Sequence, residues 1–131
     1  MFVTDTHTIV WYSTGKTSNL STKVLQAFEK ADKGESLIYI PTVVLWETAI
    51  LQNLGKVNLR EKFEYWADKL LQKQGFEVIH LTTPIIANSL GYNFNNDIFD
   101  KVIVASAVEF DVPLITKDNA IIDSNLIEIY W

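Results

Sequence analysis

Short apolar runs rich in β-branched and aromatic residues alternate along the chain with longer segments of helical periodicity. This alternation is typical of βαβ units, in which helices connect the parallel strands of a sheet. We therefore predict an α/β fold with a central, mainly parallel sheet flanked by helices. The predicted strands are Phe2–Val3, Leu37–Ile40, Val78–Leu81, Pro113–Thr116 and Leu126–Tyr130.

The helices between these strands are predicted from apolar residues spaced three or four positions apart. Ser21 suits the cap of a helix that ends near Gly34, and Thr83 suits the cap of a later helix with Pro84 at its first position. The apolar side of the Ser21 helix is formed by Val24, Leu25, Phe28 and Ala31. The other helical segments are Val43–Leu54, Leu59–Gln74, Ile85–Leu90, Asn96–Phe110 and a single turn at Asn119–Asp123.

Length and composition limit what this fold can contain. With 131 residues and 48% hydrophobic content, residues 1–131 are predicted to form a single domain with one core. The absence of cysteine excludes a disulfide scaffold, a thiolate zinc site and a cysteine nucleophile. No apolar run approaches the roughly 18 residues of a membrane span, and the N-terminus has no signal-like stretch, so we expect a cytoplasmic protein without a membrane partner.

The net charge of −5 argues against a protein that holds nucleic acid by overall electrostatic attraction. Nucleic-acid binding would require that the acidic residues concentrate in a metal site and that the lysines form a local patch.

Two aspartates follow predicted strands. Asp5 comes directly after the first apolar run, and Asp118 lies just beyond Pro113–Thr116. Each could simply cap the helix or turn that begins after it. In open parallel sheets, however, ligands bind at the carboxyl ends of strands, and right-handed connections would bring these two ends to the same rim.

Three further acidic residues occur within or beside apolar helical sequence. Glu47 lies in the apolar run Val43–Leu51, where burying an ionised side chain is costly without a partner. The alternative is an exposed position on an amphipathic helix. Asp97 and Asp100 share one face at the start of a helix, although the helix dipole also favours acidic residues there.

Several carboxylates at one rim would repel one another and raise each other's pKa unless a cation compensated them. Oxygen ligands, without cysteine and with two histidines in the whole chain, favour Mg²⁺ or Mn²⁺ over zinc. Such ions orient a phosphodiester, stabilise its developing charge and lower the pKa of a bound water. The acidic residues therefore predict a divalent-metal site suited to phosphodiester chemistry.

The acidic residues also fall in four segments that form a recognisable pattern. These segments are Val3-Thr4-Asp5-Thr6-His7 with Trp11, Val44–Ile50 with Leu54-Gly55-Lys56, Asp97–Lys101 with Ile103, Ala105 and Ala107, and Leu114–Asp118. In this order, and over essentially the full length of the chain, they resemble the PIN-domain family and, within it, the bacterial VapC-like toxins.

The resemblance implies a PIN-like three-layer sandwich that acts as a Mg²⁺- or Mn²⁺-dependent endoribonuclease, the toxin of a VapBC-type toxin–antitoxin pair. It also implies a homodimer, an RNA substrate and inhibition by a cognate antitoxin that covers the site. Asp97 would be an additional metal ligand and Thr116 a supporting polar neighbour. The catalytic and metal-binding quartet would be Asp5, Glu47, Asp100 and Asp118.

Three positions depart from the family pattern. Similar proteins often carry histidine and a Pro-Phe-Asp-Arg run before and around the third acidic group, whereas this chain has Asn95, Ile98 and Lys101 at the corresponding places. Lys101 keeps the positive charge of arginine but lacks its planar fork, which affects a bidentate pair and not metal binding. The candidates for contacts with RNA phosphates are Lys16, Lys56, Arg60, Lys101 and Lys117.

Other functions match the sequence less well. A phosphatase of the haloacid-dehalogenase type would have a second aspartate where His7 stands. A receiver-type phosphoacceptor would need an aspartate at the end of the third strand, where the chain has Leu81-Thr82-Thr83. A catalytically silent RNA- or protein-binding module would be expected to have lost at least one of the four carboxylates.

Two expectations about other side chains complete the prediction. His7 is expected to pack or hydrogen-bond near the first helix rather than to act as a general base. Six aromatic residues are expected to lie mainly in the core, with exposure to a partner as the alternative: Trp11, Tyr12, Trp46, Phe63, Tyr65 and Trp66.

Overall fold

A computed structural model describes all residues, Met1–Trp131. Five short strands form one sheet in which every neighbouring pair is parallel. In chain order they are β1 (Phe2–Thr4), β2 (Ile38–Pro41), β3 (Phe76–Ile79), β4 (Leu114–Ile115) and β5 (Ile129–Tyr130), and across the sheet the order is β3-β2-β1-β4-β5. The predicted α/β class is confirmed, and the sheet is entirely parallel.

Seven α-helices flank the sheet. They are α1 (Thr6–Ser13), α2 (Thr22–Asp32), α3 (Thr42–Asn53), α4 (Phe63–Leu71), α5 (Thr83–Ser89), α6 (Ile98–Phe110) and α7 (Asn119–Ser124), with a 3₁₀ turn at Thr17–Asn19. None of these helices is long and apolar enough to cross a membrane.

The strand order creates a reversal beside the first strand. The chain moves outward from β1 to β2 and β3, then returns to the other side of β1 and continues outward through β4 to β5. Because right-handed connections place their helices according to the direction of travel, this reversal puts helices on both faces of the sheet. The crevice outside the carboxyl ends of β1 and β4 is therefore the topological switch point, the usual ligand site of open α/β sheets.

The burial of the strands explains why their positions could be predicted from the sequence. Strands covered on both faces are nearly continuous apolar runs, and Ile38, Ile40, Leu114 and Ile115 are completely buried. Of the aromatic residues, Trp66 is buried and its indole N–H donates to Ser13 at 2.9 Å. Trp46 and Tyr65 are 56% and 60% exposed, so for these two the expected core position is wrong.

Two element boundaries differ from the prediction by several residues. The helix expected at Leu59–Gln74 begins only at Phe63, because Arg60 has a positive φ of 64° and the Gln52 side chain holds this segment through Leu59 and Glu61. The strand expected at Val78–Leu81 begins two residues earlier, because its register pairs Ile38 with Phe76. His80, which lies inside the predicted strand, is therefore outside the observed one.

Smaller shifts affect the helix caps and the last strands. Thr82, and not Thr83, is the cap residue of α5, and its hydroxyl accepts from the backbone N–H of Ile85 at 3.5 Å. Asp97 caps α6, so this helix begins at Ile98 and not at Asn96. The strands β4 and β5 are shorter than predicted, because the pairing between them covers only two residues of each strand.

We expect Gly75→Ala to destabilise the fold, because the added Cβ would lie 1.9 Å from the backbone oxygen of Ala31 at the end of α2. Neither backbone can move freely, so the free energy of unfolding should fall by about 1–3 kcal/mol or more. Urea unfolding measures this change. Gly91→Ala is the matched control, because its Cβ would make an ordinary 3.6 Å contact, and an equal loss in both variants would contradict the explanation.

Candidate active site

Asp5 lies at the carboxyl end of β1, where it is buried and both of its carboxylate oxygens accept hydrogen bonds. One carboxylate oxygen accepts from the backbone N–H of Thr8 at 3.0 Å and from the Thr8 hydroxyl at 2.7 Å. The other oxygen accepts from the Thr116 hydroxyl. Asp5 is thus the N-cap of α1, as the simpler interpretation predicted, and it also faces the switch-point crevice.

The adjacent strand β4 supplies the second part of the site. The Thr116 hydroxyl that donates to Asp5 also accepts from the backbone N–H of Asp118 at 3.1 Å. Asp118 in turn accepts from the N–H of Ile121 at 3.0 Å and caps α7. One buried hydroxyl therefore fixes the relative positions of the two strand-end aspartates.

The remaining acidic side chains come from α3 and the start of α6. Glu47 is half-buried on α3 and accepts a hydrogen bond from the Thr6 hydroxyl. Asp97 accepts from the backbone N–H groups of Phe99 and Asp100 at 2.9 and 3.3 Å, so it is both a cap and a site residue.

Asn95 holds the Asp100 carboxylate. Its amide nitrogen donates to Asp100 at 2.9 Å. Asn95 was noted in the sequence only as a departure from the family pattern. The structure gives it a positioning role, while Lys101 forms no ion pair with any carboxylate.

These groups meet in one cavity of about 120 Å³ without a hydrophobic lining residue. Its wall is formed by Asp5, Thr6, His7, Glu47, Asp97, Asp100 and Asp118. The structure therefore brings together all five predicted acidic residues. Thr116 does not line the cavity but supports it from behind through Asp5 and Asp118.

The carboxylates of the cavity form no ion pair with a lysine or an arginine. The two ion pairs of the protein, Lys69–Glu61 and Lys73–Asp32, involve none of the cavity carboxylates. Burial raises the pKa of Asp5 against the lowering effect of the hydrogen bond from Thr116. Burial is also the largest cause of the raised pKa of Glu47.

The surroundings of Asp100 also disfavour its charged form. Burial raises its pKa to about 7, with added repulsion from the charges of Asp97, Asp118 and Glu47, while the hydrogen bond from Asn95 lowers it. Clustered carboxylates with raised pKa values are typical of functional sites.

The donor set fits a hard divalent cation. No three acidic or histidine side chains lie close enough together to coordinate one metal ion directly. Mg²⁺ does not require three such side chains, because it keeps several water ligands and is commonly held by one or two carboxylates. Apart from the imidazole of His7, all side-chain donors of the cavity are oxygens, and Asp5, Glu47 and Asp100 are its more buried candidate ligands.

Three supporting side chains were not predicted from the sequence, and His7 lies closer to the acidic cavity than expected. Thr6, Thr8 and Asn95 hold Glu47, Asp5 and Asp100 respectively. The alternation of threonines around Asp5 was a usable signal for the first two. His7 packs near Trp11, with the ring centroids 5.8 Å apart, as expected, but it is exposed and also lines the acidic cavity.

Comparison with known proteins identifies the family. A model described as the PIN domain matches residues 2–124. The chain therefore belongs to the PIN-domain family, whose members are generally nucleases that use divalent metal ions. No curated protein matches the chain.

Three solved structures share the fold. VapBC2 from Rickettsia felis, bound to a promoter DNA fragment, has a TM-score of 0.68 at 16% identity, covering 99% of this chain and 98% of the other. FitAcB from Neisseria gonorrhoeae has a TM-score of 0.65 at 14% identity over 100% and 97%. A toxin–antitoxin complex from Klebsiella pneumoniae has a TM-score of 0.61 at 19% identity over 98% and 100%. At these identities the similarity establishes the PIN-like fold.

Thr116→Val should loosen the acidic site while keeping the shape of the side chain. The hydroxyl that donates to Asp5 and accepts from Asp118 is lost, so we expect about 1–2 kcal/mol lower stability. We also expect roughly tenfold weaker Mn²⁺ binding, because the supporting hydrogen bonds orient the ligands. Thermal unfolding and calorimetric titration with Mn²⁺ measure the two effects. Thr116→Ser should retain both properties, and unchanged metal affinity in Thr116→Val would refute the positioning role.

Asp100→Asn should stabilise the metal-free protein at neutral and higher pH. Because the folded protein holds the Asp100 proton up to a pKa of about 7, against an ordinary value of 3.8, this group favours the folded state at low pH. That contribution is lost as the pH rises from about 4 through about 7. For a partly exposed group we expect an advantage of about 1 kcal/mol for the variant at pH 8.

Thermal unfolding in EDTA as a function of pH measures this difference between Asp100→Asn and the parent. The two proteins should be equally stable near pH 4, where the carboxyl is protonated in the folded and partly in the unfolded state. If the stabilities of the two proteins changed in parallel over the whole pH range, the charge of Asp100 would not destabilise the folded protein.

Proposed function

We propose that this PIN-domain protein is a Mg²⁺- or Mn²⁺-dependent endoribonuclease that acts as the toxin of a VapBC-type toxin–antitoxin pair. The observation that supports the reaction is the acidic cavity at the switch point, with five carboxylates and no lysine or arginine paired to them. Such a site is poorly stable without a cation and is suited to one that carries a phosphodiester.

The burial and the hydrogen bonds of the cavity residues suggest a different role for each group. Asp5, Glu47 and Asp100 would hold the cation, one or two of them directly and the rest through its water ligands, and Asp118 and Asp97 would complete the site from its more exposed side. Thr8, Thr116, Thr6 and Asn95 would keep the carboxylates oriented, because each donates a hydrogen bond to one of them. A bound divalent ion supplies Lewis-acid stabilisation of the phosphate and activation of water.

The role as a toxin and the protein partners are parts of the same proposal. They draw on the family assignment and on the shared fold with structures described as toxin–antitoxin complexes. A cognate antitoxin would inhibit the enzyme by covering the acidic cavity. We further propose a homodimer, for which exposed apolar side chains on contacting helices are available, including Trp46 of α3, Ile86 of α5 and Ile98 of α6.

The alternative functions are separated by the fold and by experiment. Membership of the PIN-domain family replaces the haloacid-dehalogenase-type phosphatase as an explanation of the strand-end aspartates. A catalytically silent module would bind RNA or protein without turnover. The presence of all five carboxylates in one cavity favours turnover.

The purified protein, freed of any antitoxin, should cleave RNA in Mg²⁺ or Mn²⁺ and not in EDTA. Asp100→Asn and Asp5→Asn should reduce the cleavage rate by about a hundredfold or more, because each removes an ionised group from the cation site. Asp68→Asn is the matched control, since Asp68 is an exposed aspartate of α4 outside the cavity. Gel analysis of total RNA measures cleavage, and sequencing of the fragment ends identifies the target.

Cleavage that persists in EDTA, or in a correctly folded Asp100→Asn, would rule out the carboxylate–metal mechanism. Intact RNA in every condition, together with calorimetric binding of Mn²⁺, would favour the silent binding module.

A further inference from the structure

A second cavity adjoins the acidic one and shares His7 with it. Its volume is about 160 Å³. Trp11, Leu51 and Val57 form an apolar part of its wall, and Lys16 and Lys56 give it positive charge. The acidic cavity and this basic, partly apolar cavity therefore lie side by side, with one exposed imidazole between them.

Lys16 and Lys56 are placed at this cavity by the same type of helix C-terminus. Each follows a glycine with positive φ at the end of a helix: Gly15, with φ 78°, after α1, and Gly55, with φ 73°, after α3. The backbone N–H of Lys16 donates to the oxygen of Trp11 at 2.8 Å, and that of Lys56 donates to Leu51 at 2.9 Å. This pairing is the Schellman motif, which fixes the chain at both helix ends.

The positive charge around this cavity is free to meet an anion. Lys16, Lys56 and Lys117 form no ion pair with any carboxylate of the protein. The Lys117 ammonium lies 4.7 Å from the centre of the ring of Trp11, which lines the cavity, and Lys117 directly precedes Asp118 in the chain. Two lysines without an ion pair thus line this cavity, and a third contacts its Trp11, in a chain whose net charge is −5.

We propose that this second cavity is a nucleotide subsite, which holds one unpaired nucleotide of the RNA strand next to the bond that is cleaved. Lys16 and Lys56 contact the phosphates of the strand, and the base lies against the apolar wall of Trp11, Leu51 and Val57. The inference rests on the proposed ribonuclease function and adds to it a binding site for one nucleotide of the substrate.

The chemistry of the cavity favours single-stranded nucleic acid over other anionic ligands. Aromatic and apolar surface beside lysines is the usual combination in proteins that bind unpaired strands, where the groove follows the phosphates and the bases contact π-faces. A base in a duplex would be stacked and paired, and it would not enter a cavity of this size. The subsite thus selects loops and unpaired ends of RNA.

The test measures binding separately from cleavage. The proteins all carry Asp100→Asn, so that the RNA stays intact, and the probe is a fluorescently labelled, short, single-stranded RNA of mixed sequence in MgCl₂. Lys16→Gln with Lys56→Gln is compared with Lys30→Gln with Lys33→Gln. The second pair lies at the exposed end of α2 and changes the net charge equally. Fluorescence anisotropy over a series of KCl concentrations gives Kd and its salt dependence.

We expect the Lys16/Lys56 variant to bind about tenfold or more weakly, with a slope of log Kd against log [KCl] that is smaller by about 1.4, or 0.7 for each lost phosphate contact. The Lys30/Lys33 variant should stay within about twofold of the parent. A labelled duplex of the same length should bind weakly to all three proteins, with no added loss in the Lys16/Lys56 variant. Unchanged melting temperatures would show that the lysines act on RNA and not on the helix ends.

Equal RNA binding by the Lys16/Lys56 and Lys30/Lys33 variants would overturn the subsite, even if the parent protein cleaves RNA as proposed. A selective loss of RNA binding in the Lys16/Lys56 variant would support the subsite even if the parent proved to be a silent module. A duplex that loses as much affinity as the single strand would contradict the assignment to an unpaired nucleotide.

Discussion

Asp5 is buried at the carboxyl end of the central strand, and both of its oxygens accept hydrogen bonds from threonines on different elements. Through Thr116 this carboxylate is connected to Asp118, and through Thr8 it holds the first turn of α1. Burying it is costly, and this cost is compensated only in part by the hydrogen bonds, since its pKa remains raised. The rest of the site is built around this partly compensated charge.

The order of the strands and of α2 to α7 was predictable because a sheet buried on both faces leaves apolar runs in the sequence, whereas α1 was expected only as a helix or turn capped by Asp5. The acidic residues were predictable for the converse reason, since Asp5 and Glu47 interrupt or follow apolar sequence. The start of α4 was not predictable, because it depends on a positive φ at Arg60 and on the Gln52 side chain of α3, which donates to the oxygen of Glu61 and accepts from the N–H of Leu59. The donor Asn95 was missed for a similar reason, because its hydrogen bond to Asp100 depends on the fold of the segment before α6.

The net charge of −5 does not describe the local charge around the two cavities. Taken as a whole, the chain repels a polyanion, but Asp5, Glu47, Asp97, Asp100 and Asp118 concentrate their charge in one small cavity. Lys16 and Lys56 stand at the neighbouring cavity without acidic partners. Because exposed charges more than about 10 Å apart are largely screened at moderate salt, this local arrangement matters more than the total charge for the RNA binding that we propose.

Three of the five acidic residues are also helix caps: Asp5 for α1, Asp97 for α6 and Asp118 for α7. Truncating a cap costs about 0.5–2 kcal/mol of stability, so loss of function and loss of structure are coupled at these positions. Glu47 and Asp100 cap nothing. Substitutions at Glu47 and Asp100 can therefore remove a cavity carboxylate without loss of a helix cap. At Asp5, Asp97 and Asp118, selection for a stable fold would by itself preserve the side chain.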